Sequence, residues 1–292
     1  MTFMSDTPAR RSLALPPLVA AIVRKPLGAI GAVIVALLII VAILAPLLAP
    51  FDPYELDMAN TLAAPSMAHW MGTDEFGRDV LSRVIWGSRL SLFVGVLSVV
   101  LGTTVGAGIG LISGFAGGWA DYVLQRLMDV LLAFPSLILA LALVASLGPS
   151  TRNVVFAIAL VIVPNAARVI RASVLSVRER PYVEAAQNLG LSRARVLFVH
   201  VLPNCMAPYI IIATAALGSA ILSEASLSFL GLGAPPPQPS WGGLLSASAQ
   251  RYMVQAPWLA IFPGLAITLV VFGFNFLGDA VRDTLDPKSR RT

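Results

Sequence analysis

Six apolar runs, each roughly 18 to 25 residues long, divide this chain, and a helix of that length crosses about 30 Å of hydrocarbon. The first, LGAIGAVIVALLIIVAILAPLLAP, ends at Pro50. It is too long for the apolar region of a signal peptide and lacks an A-x-A cleavage site, which predicts an uncleaved signal anchor. The others run from about Leu90 to Ser113, Val130 to Leu147, Val154 to Ala167, Ala207 to Leu222 and Trp258 to Leu277. The fourth is expected to continue as helix through Arg168 and Arg171. Only 12% of the 292 residues are charged and 57% are hydrophobic, with a mean hydropathy of +0.83. A soluble domain carries about 25% charged residues. The expected fold is therefore all-α, a polytopic membrane protein with six transmembrane helices.

Charge sets the expected orientation. Placing the N-terminus inside puts fifteen Lys and Arg on the inner side and five on the outer, so both termini are predicted to be cytoplasmic. The formal charge of +5 is then topology, not a nucleic-acid patch. The organisation that follows is a cytoplasmic segment over 1–27, a first span over 28–50 and an extracytoplasmic loop over 51–89. A membrane core over 90–280 carries a cytoplasmic loop at 178–204, and a cytoplasmic tail covers 281–292. Residues 115–129, FAGGWADYVLQRLMD, read as a short cytoplasmic amphipathic piece. Residues 231–257 form a second outer loop, in which GAPPPQPSWGG is too rich in proline for helix.

Several chemistries are excluded or left without support. Lys25 and Lys288 are the only lysines and neither ends a G-x-x-x-x-G-K-[ST] loop, so the chain has no phosphate cradle of its own. Cys205 is alone, which rules out an intrachain disulfide. His69 and His200 fall on opposite sides of the membrane under this topology, and no metal site is expected. The middles of the spans lack ionisable residues, which counts against an ion- or proton-coupled carrier. Glu224, near the outer end of the fifth span, is the nearest exception. It would line a gate or vestibule, or sit as an interfacial carboxylate satisfied by its neighbours. Glycines at 102, 106, 108, 110 and 114 of the second span give small-xxx-small spacing, which suits close approach of a neighbouring helix.

The stretch RERPYVEAAQNLGLSRARVLFVHVLPN, residues 178–204, is too polar for membrane and too helical for a simple turn. Pro181 suits a first helical position, and Glu184 favours the helix dipole from the first turn. Ala185 and Ala186 keep one face small. Gly190 fits a C′ position with positive φ, Leu191 closes that cap, and Ser192 can N-cap a second helix. Pro203 then marks the start of the fifth span. Two readings stand: a docking handle for another protein, or an interfacial hairpin whose arginines attract anionic lipid.

Glu184-Ala185-Ala186, then Gly190, then Leu202-Pro203 resembles the EAA loop of ATP-binding-cassette importer permeases. That family usually has Ile where this chain has His200, and the ending HVLPN is similar to the dipeptide/oligopeptide/nickel branch. Residues 72–92, GTDEFGRDVLSRVIWGSRLSL, and 121–141, DYVLQRLMDVLLAFPSLILAL, resemble two further stretches of the "C"-type permease of that branch. Trp70 departs from the proline common there. The resemblance reaches all but the first ~25 residues.

The resemblance implies a type I importer in the bacterial inner (plasma) membrane. It would contain this chain, a homologous B-type permease, two ATPase subunits and an extracytoplasmic substrate-binding protein. ATP and Mg would be bound by the ATPases, leaving this chain without cofactor or catalytic residues. Glu184, Ala185, Ala186, Gly190, Leu191, Ser192 and Arg193 would lodge in an ATPase groove. The outer-loop residues Gly72, Thr73, Asp74, Gly77, Arg78 and Asp79 would help close an outer gate, receive the binding protein, or simply fix the start of the second span. Asp74 is expected to cap a helix beginning near Glu75. Peptide is the expected substrate from the branch alone. An ion-coupled carrier of small solutes and a membrane anchor that assembles other proteins are the competing functions.

Overall fold

The computed structural model describes residues 25–246 and 251–285. Arg10, Arg11, Arg24, Lys288, Arg290 and Arg291, which enter the charge count, lie outside the described residues. Regular structure within them is helical apart from one isolated bridge between Thr73 and Asp79. The order is α1 (Pro26–Ile43), α2 (Ala45–Leu48), α3 (Val80–Ala116), α4 (Gly118–Leu132), α5 (Ser136–Leu147), α6 (Thr151–Arg178), α7 (Pro181–Asn188) and α8 (Arg193–Arg195). A π-helical stretch, Val196–Val201, leads into α9 (Leu202–Phe229), followed by α10 (Trp241–Leu244) and α11 (Trp258–Leu285).

Among the described residues, five helical stretches are long and apolar enough to cross a membrane: α1, α3, α6, the run Arg193–Phe229, and α11. The expected third span, Val130–Leu147, is not one helix. Residues 130–132 complete α4, and α5 leaves it at 90°. Pro135 explains the break, because its ring pushes the preceding residue out of the helical region. At 12 residues, α5 is about 18 Å long and too short to cross alone. The bent pair counts as a sixth span only if taken together.

The second span is longer than its apolar run. Its helix begins at Val80, ten residues before Leu90, because Asp79 is the N-cap: its carboxylate accepts the Ser82 N–H at 2.7 Å. Along the opposite half of α3, Gly102, Gly106 and Gly110 face α6. A Cβ on each would stand 2.6, 2.5 and 2.4 Å from the carbonyls of Ala159, Val163 and Ala167, respectively. Both stripes repeat every four residues, so the two backbones touch along two helical turns. This seam is the most extensive helix pairing in the fold. It positions α6, and thus the polar segment that follows.

Around the seam, α9 packs on α3 and α6, α11 packs on α9, and α1 lies outermost against α11. Lys25 at the start of α1 pairs with Asp283 near the end of α11 at 2.6 Å. The first and last described helices therefore reach the same end of the bundle. That end also carries the segment joining α6 to α9. The other end carries the 51–79 loop and α10, where the buried Trp241 donates its indole N–H to the Val84 carbonyl at 2.9 Å.

Candidate functional site

The segment after α6 forms an elbow. Pro181 opens α7, and α7 ends in a Schellman cap: Gly190 has φ 77°, its N–H reaches the Gln187 carbonyl at 2.9 Å, and the Leu191 N–H reaches the Ala186 carbonyl at 3.2 Å. A left-handed residue is required at 190, which glycine adopts without steric cost. Ser192 caps the next helix by accepting the Arg195 N–H at 3.4 Å. That helix does not stop at Pro203. It runs from Arg193 through the π-helical stretch into α9 as one 37-residue span, with Pro203 seated just after the π-helical turn Val196–Val201, where the i→i−4 ladder is already interrupted.

The residues predicted for docking divide into two groups. Glu184, Ala185, Gly190, Ser192 and Arg193 are exposed. Ala186 is buried and Leu191 half-buried, so the small face is not shared by both alanines as expected. Ala186 instead joins Val183, Val196 and Val201 in a cluster with Ile170, Val174 and Val177 of α6. This anchors the elbow on the bundle. Sequence reasoning passed over Leu189, which stands 80% exposed at the tip of α7, and Phe198, 63% exposed one helix further on. An apolar residue immediately before the C-cap glycine of a polar helix was the available signal.

Behind the elbow, α6 is fastened to α4. The Arg171 guanidinium donates from Nε to Asp121 Oδ1 at 2.6 Å and from a terminal nitrogen to Oδ2 at 2.5 Å. Arg168 reaches Asp129 Oδ1 at 2.5 Å. These are one bidentate and one single charge-assisted contact, from successive turns of α6 to positions about two turns apart on α4. Residues 118–129 are thus a brace lying along the elbow half of α6.

Two cavities lie along α9. One of 260 Å³ sits between α5, α6 and α9, where Ser136, Asn165, Ser219 and Ser223 supply its polar atoms. The other, 780 Å³, opens at the elbow end between α6, α9 and α11. Asn165, Ile212 and Ala215 line both, so the cavities form one groove. On α9 its lining recurs as Asn204, Pro208, Ile212, Ala215, Ser219 and Ser223, one residue per turn. None of these positions could be assigned from sequence, because the rotation of α9 is fixed only by packing.

Glu224 does not line the groove, contrary to the gate or vestibule reading. It is 1% exposed in the seam between α3 and α9, where its two oxygens accept the hydroxyls of Ser91 at 2.8 Å and Ser228 at 2.7 Å. Both bonds fit the reading of a carboxylate satisfied by its neighbours. Its neighbour Ser223 faces the groove.

At the other end the outer-loop residues tie one knot. Asp74 does not cap a helix at Glu75, since none begins there. Its Oδ1 accepts the N–H groups of Phe76 and Arg78 at 2.9 and 3.0 Å, and its Oδ2 accepts Arg78 Nε at 2.7 Å. Thr73, fully buried, donates to the Asn60 carbonyl at 2.5 Å and accepts the Ala63 N–H at 2.8 Å. Asp79 also takes His69 Nδ1 at 3.0 Å. Gly77, at φ 74°, lies against the Asp57 carbonyl, 1.7 Å from where a Cβ would be. A Cβ on Gly72 would stand 2.7 Å from the Trp258 indole of α11, which donates to the Thr73 carbonyl at 3.1 Å. The Asp57 carboxyl is held below its usual range by the Asn60 side-chain amide and the Ala59 N–H. The whole set fixes the starts of α3 and α11 relative to each other.

Residues 106–291 match the family described as binding-protein-dependent transport system inner membrane component. Residues 20–65 match the N-terminal transmembrane domain of oligopeptide transport permease C. The chain is 47% identical to a dipeptide transport system permease protein of Alkalihalophilus pseudofirmus, over 91% of this chain and 88% of that one. It is 48% identical to a di/tripeptide transport system permease protein of Pseudomonas aeruginosa, over 89% and 88%. It is 43% identical to a glutathione transport system permease protein of Pectobacterium atrosepticum, over 91% and 88%.

Proposed function

This chain belongs to the binding-protein-dependent inner membrane components, the permeases of ATP-binding-cassette importers, and on that premise we propose that it forms half of a path for short peptides. It is a multi-pass protein of the bacterial inner membrane. Membership replaces the ion-coupled carrier and the passive anchor as readings of the chain. The other half of the path is a homologous B-type permease, and an extracytoplasmic binding protein delivers the substrate. The names of the similar permeases support a substrate class of dipeptides and related small peptides.

One observation carries the mechanism: the helix that leaves the elbow at Arg193 is the helix that lines the groove at Ser219 and Ser223. The elbow end faces the cytoplasm, where each of two ATPases binds ATP and Mg. Glu184, Ala185, Leu189, Gly190, Ser192 and Arg193 seat in one of them. Closure of the ATPases moves the elbow, and α9 carries that movement to the groove. Ala186 and Leu191 act from beneath, holding the elbow to α6. The outer-loop knot built on Gly72, Thr73, Asp74, Gly77, Arg78 and Asp79 acts as the fixed end against which the bundle moves.

The test is reconstitution of the importer with its partner subunits in vesicles. Glu184→Lys and Gly190→Pro will each leave membrane insertion intact and abolish most ATP-dependent dipeptide uptake, with ATP hydrolysis no longer coupled to it. Wild-type uptake by either variant contradicts the assignment of the elbow.

A further inference from the structure

The groove is neutral along most of its length and charged only where it opens. Its inner cavity offers hydroxyls and a carboxamide but no ionic group. The 780 Å³ cavity at the elbow end adds Asp279 and Arg282, both exposed on α11. Within the described residues neither forms an ion pair, although the next acidic residue, Asp283, is already joined to Lys25. An aspartate and an arginine three residues apart on one helix could neutralise each other. Instead both line the cavity.

We propose that Asp279 and Arg282 form a binding station for the two termini of a short peptide, at the point where it leaves the groove. This rests on the reading of the chain as a peptide permease. A dipeptide at neutral pH carries an ammonium at one end and a carboxylate at the other. The two ends lie at most about 7 Å apart. Positions 279 and 282 are separated by about 4.5 Å along the helix axis, and the long arginine side chain covers the difference. Asp279 accepts from the ammonium, and the Arg282 fork donates both N–H groups to the carboxylate.

The placement has a physical reason. A zwitterion entering the narrow inner cavity loses hydration and finds only neutral partners there. The first opposite charges it meets lie beyond that constriction, on the elbow side, so they favour forward movement. Apart from the neutral carboxamides of Asn165, Asn204 and Asn275, the rest of the wider cavity is made by small or apolar residues such as Ala207, Pro208, Ile211, Ile212 and Gly278. Such walls accept varied side chains and leave recognition to the termini.

The experiment uses the whole importer in vesicles, with a dipeptide carrying a diazirine side chain irradiated during ATP turnover. Labelled positions are read by mass spectrometry. Wild-type chains will be labelled on the cavity-lining parts of α9 and α11. Asp279→Asn and Arg282→Gln will each lower that labelling at least fivefold, and Arg282→Lys will recover part of it, all with ATPase co-purification unchanged. Unchanged labelling in both variants, or no label on α9 or α11 while the wild type imports the dipeptide, overturns the station and leaves the peptide permease intact. Loss of ATPase co-purification in either variant also overturns it, because the pair then belongs to subunit docking. Failure of the wild type to import the dipeptide refutes the functional reading and this inference together.

Discussion

Leu189 offers the sharpest test of the elbow, because its exposure separates docking from folding. The side chain is 80% exposed, so the bundle gains almost nothing from it. Shortening it to alanine removes about three carbon groups, each worth about 0.8 kcal/mol when fully buried. If docking buries the exposed four-fifths, Leu189→Ala will weaken binding of the ATPase subunit by about 2 kcal/mol, or roughly thirtyfold. The thermal stability of the isolated permease will not change. Affinity is measured by titrating the purified ATPase onto detergent-solubilised permease, and stability by a thermal scan of the permease alone. Leu191→Ala is the matched control: Leu191 is half-buried and packs against the elbow cluster, so that change will lower stability. An ATPase affinity within twofold of wild type for Leu189→Ala would show that the tip of α7 stays outside the contact.

Two further outcomes follow from the bundle itself. Gly106→Val places branched carbons where a Cβ alone would stand 2.5 Å from the Val163 carbonyl and 2.7 Å from the Ala166 Cβ, so the α3–α6 seam must open; a loss of about 1–3 kcal/mol is expected, read as a lower melting temperature in detergent, and an unchanged melting temperature contradicts the seam. Arg171→Leu removes the bidentate hold on Asp121 and will destabilise the permease by about 1–2 kcal/mol, with the exchange Asp121→Arg plus Arg171→Asp recovering most of it; no recovery in the exchanged pair would mean the effect came from something other than the clasp.

The parts of this architecture that depend on local chemistry were readable in the chain. Apolar run length located five spans, and the glycine spacing of α3 announced a close neighbour. Pro181, Gly190 and Ser192 defined the elbow because each has a steric or capping preference of its own. What failed were inferences that crossed from one element to another. Asp74 and Asp79 are both good caps by residue type, and only the knot with Arg78, Thr73 and Trp258 decides that Asp79 starts the helix. The apolar run 130–147 gave no weight to Pro135, which turns the chain by 90°. Ala185 and Ala186 are indistinguishable by composition, yet one faces solvent and the other the core. The groove was invisible for the same reason: its serines and asparagines are ordinary helix residues until α5, α6, α9 and α11 are placed around them.

On the proposed mechanism, the two helices that leave the elbow cannot contribute equally. Of the most apolar stretch of α6, 56% is buried within the chain, against 28% for the run that contains α9. The backbone of α6 touches α3 along the glycine stripe, and its elbow half is clasped by Asp121 and Asp129. Displacing it means breaking that seam and both ionic contacts, so α6 serves as the post. Among the described residues the α9 run is tied to α3 by hydrogen bonds such as that of Ser91 to Glu224 and by no ion pair, and it passes directly from Arg193 to the groove. From Arg193 to Ser219 is about 39 Å of helix, so tilting it by roughly 10° about the elbow carries Ser219 by about 7 Å. A shift of that size is enough to join or separate the two cavities at Ile212 and Ala215, the positions they share. Pro208 and the π-helical stretch lie between the elbow and those positions, and both lack a regular i→i−4 bond. The softest points of the lever therefore fall at or before the elbow end of the groove, where bending alters the direction of the movement before it reaches Ile212 and Ala215.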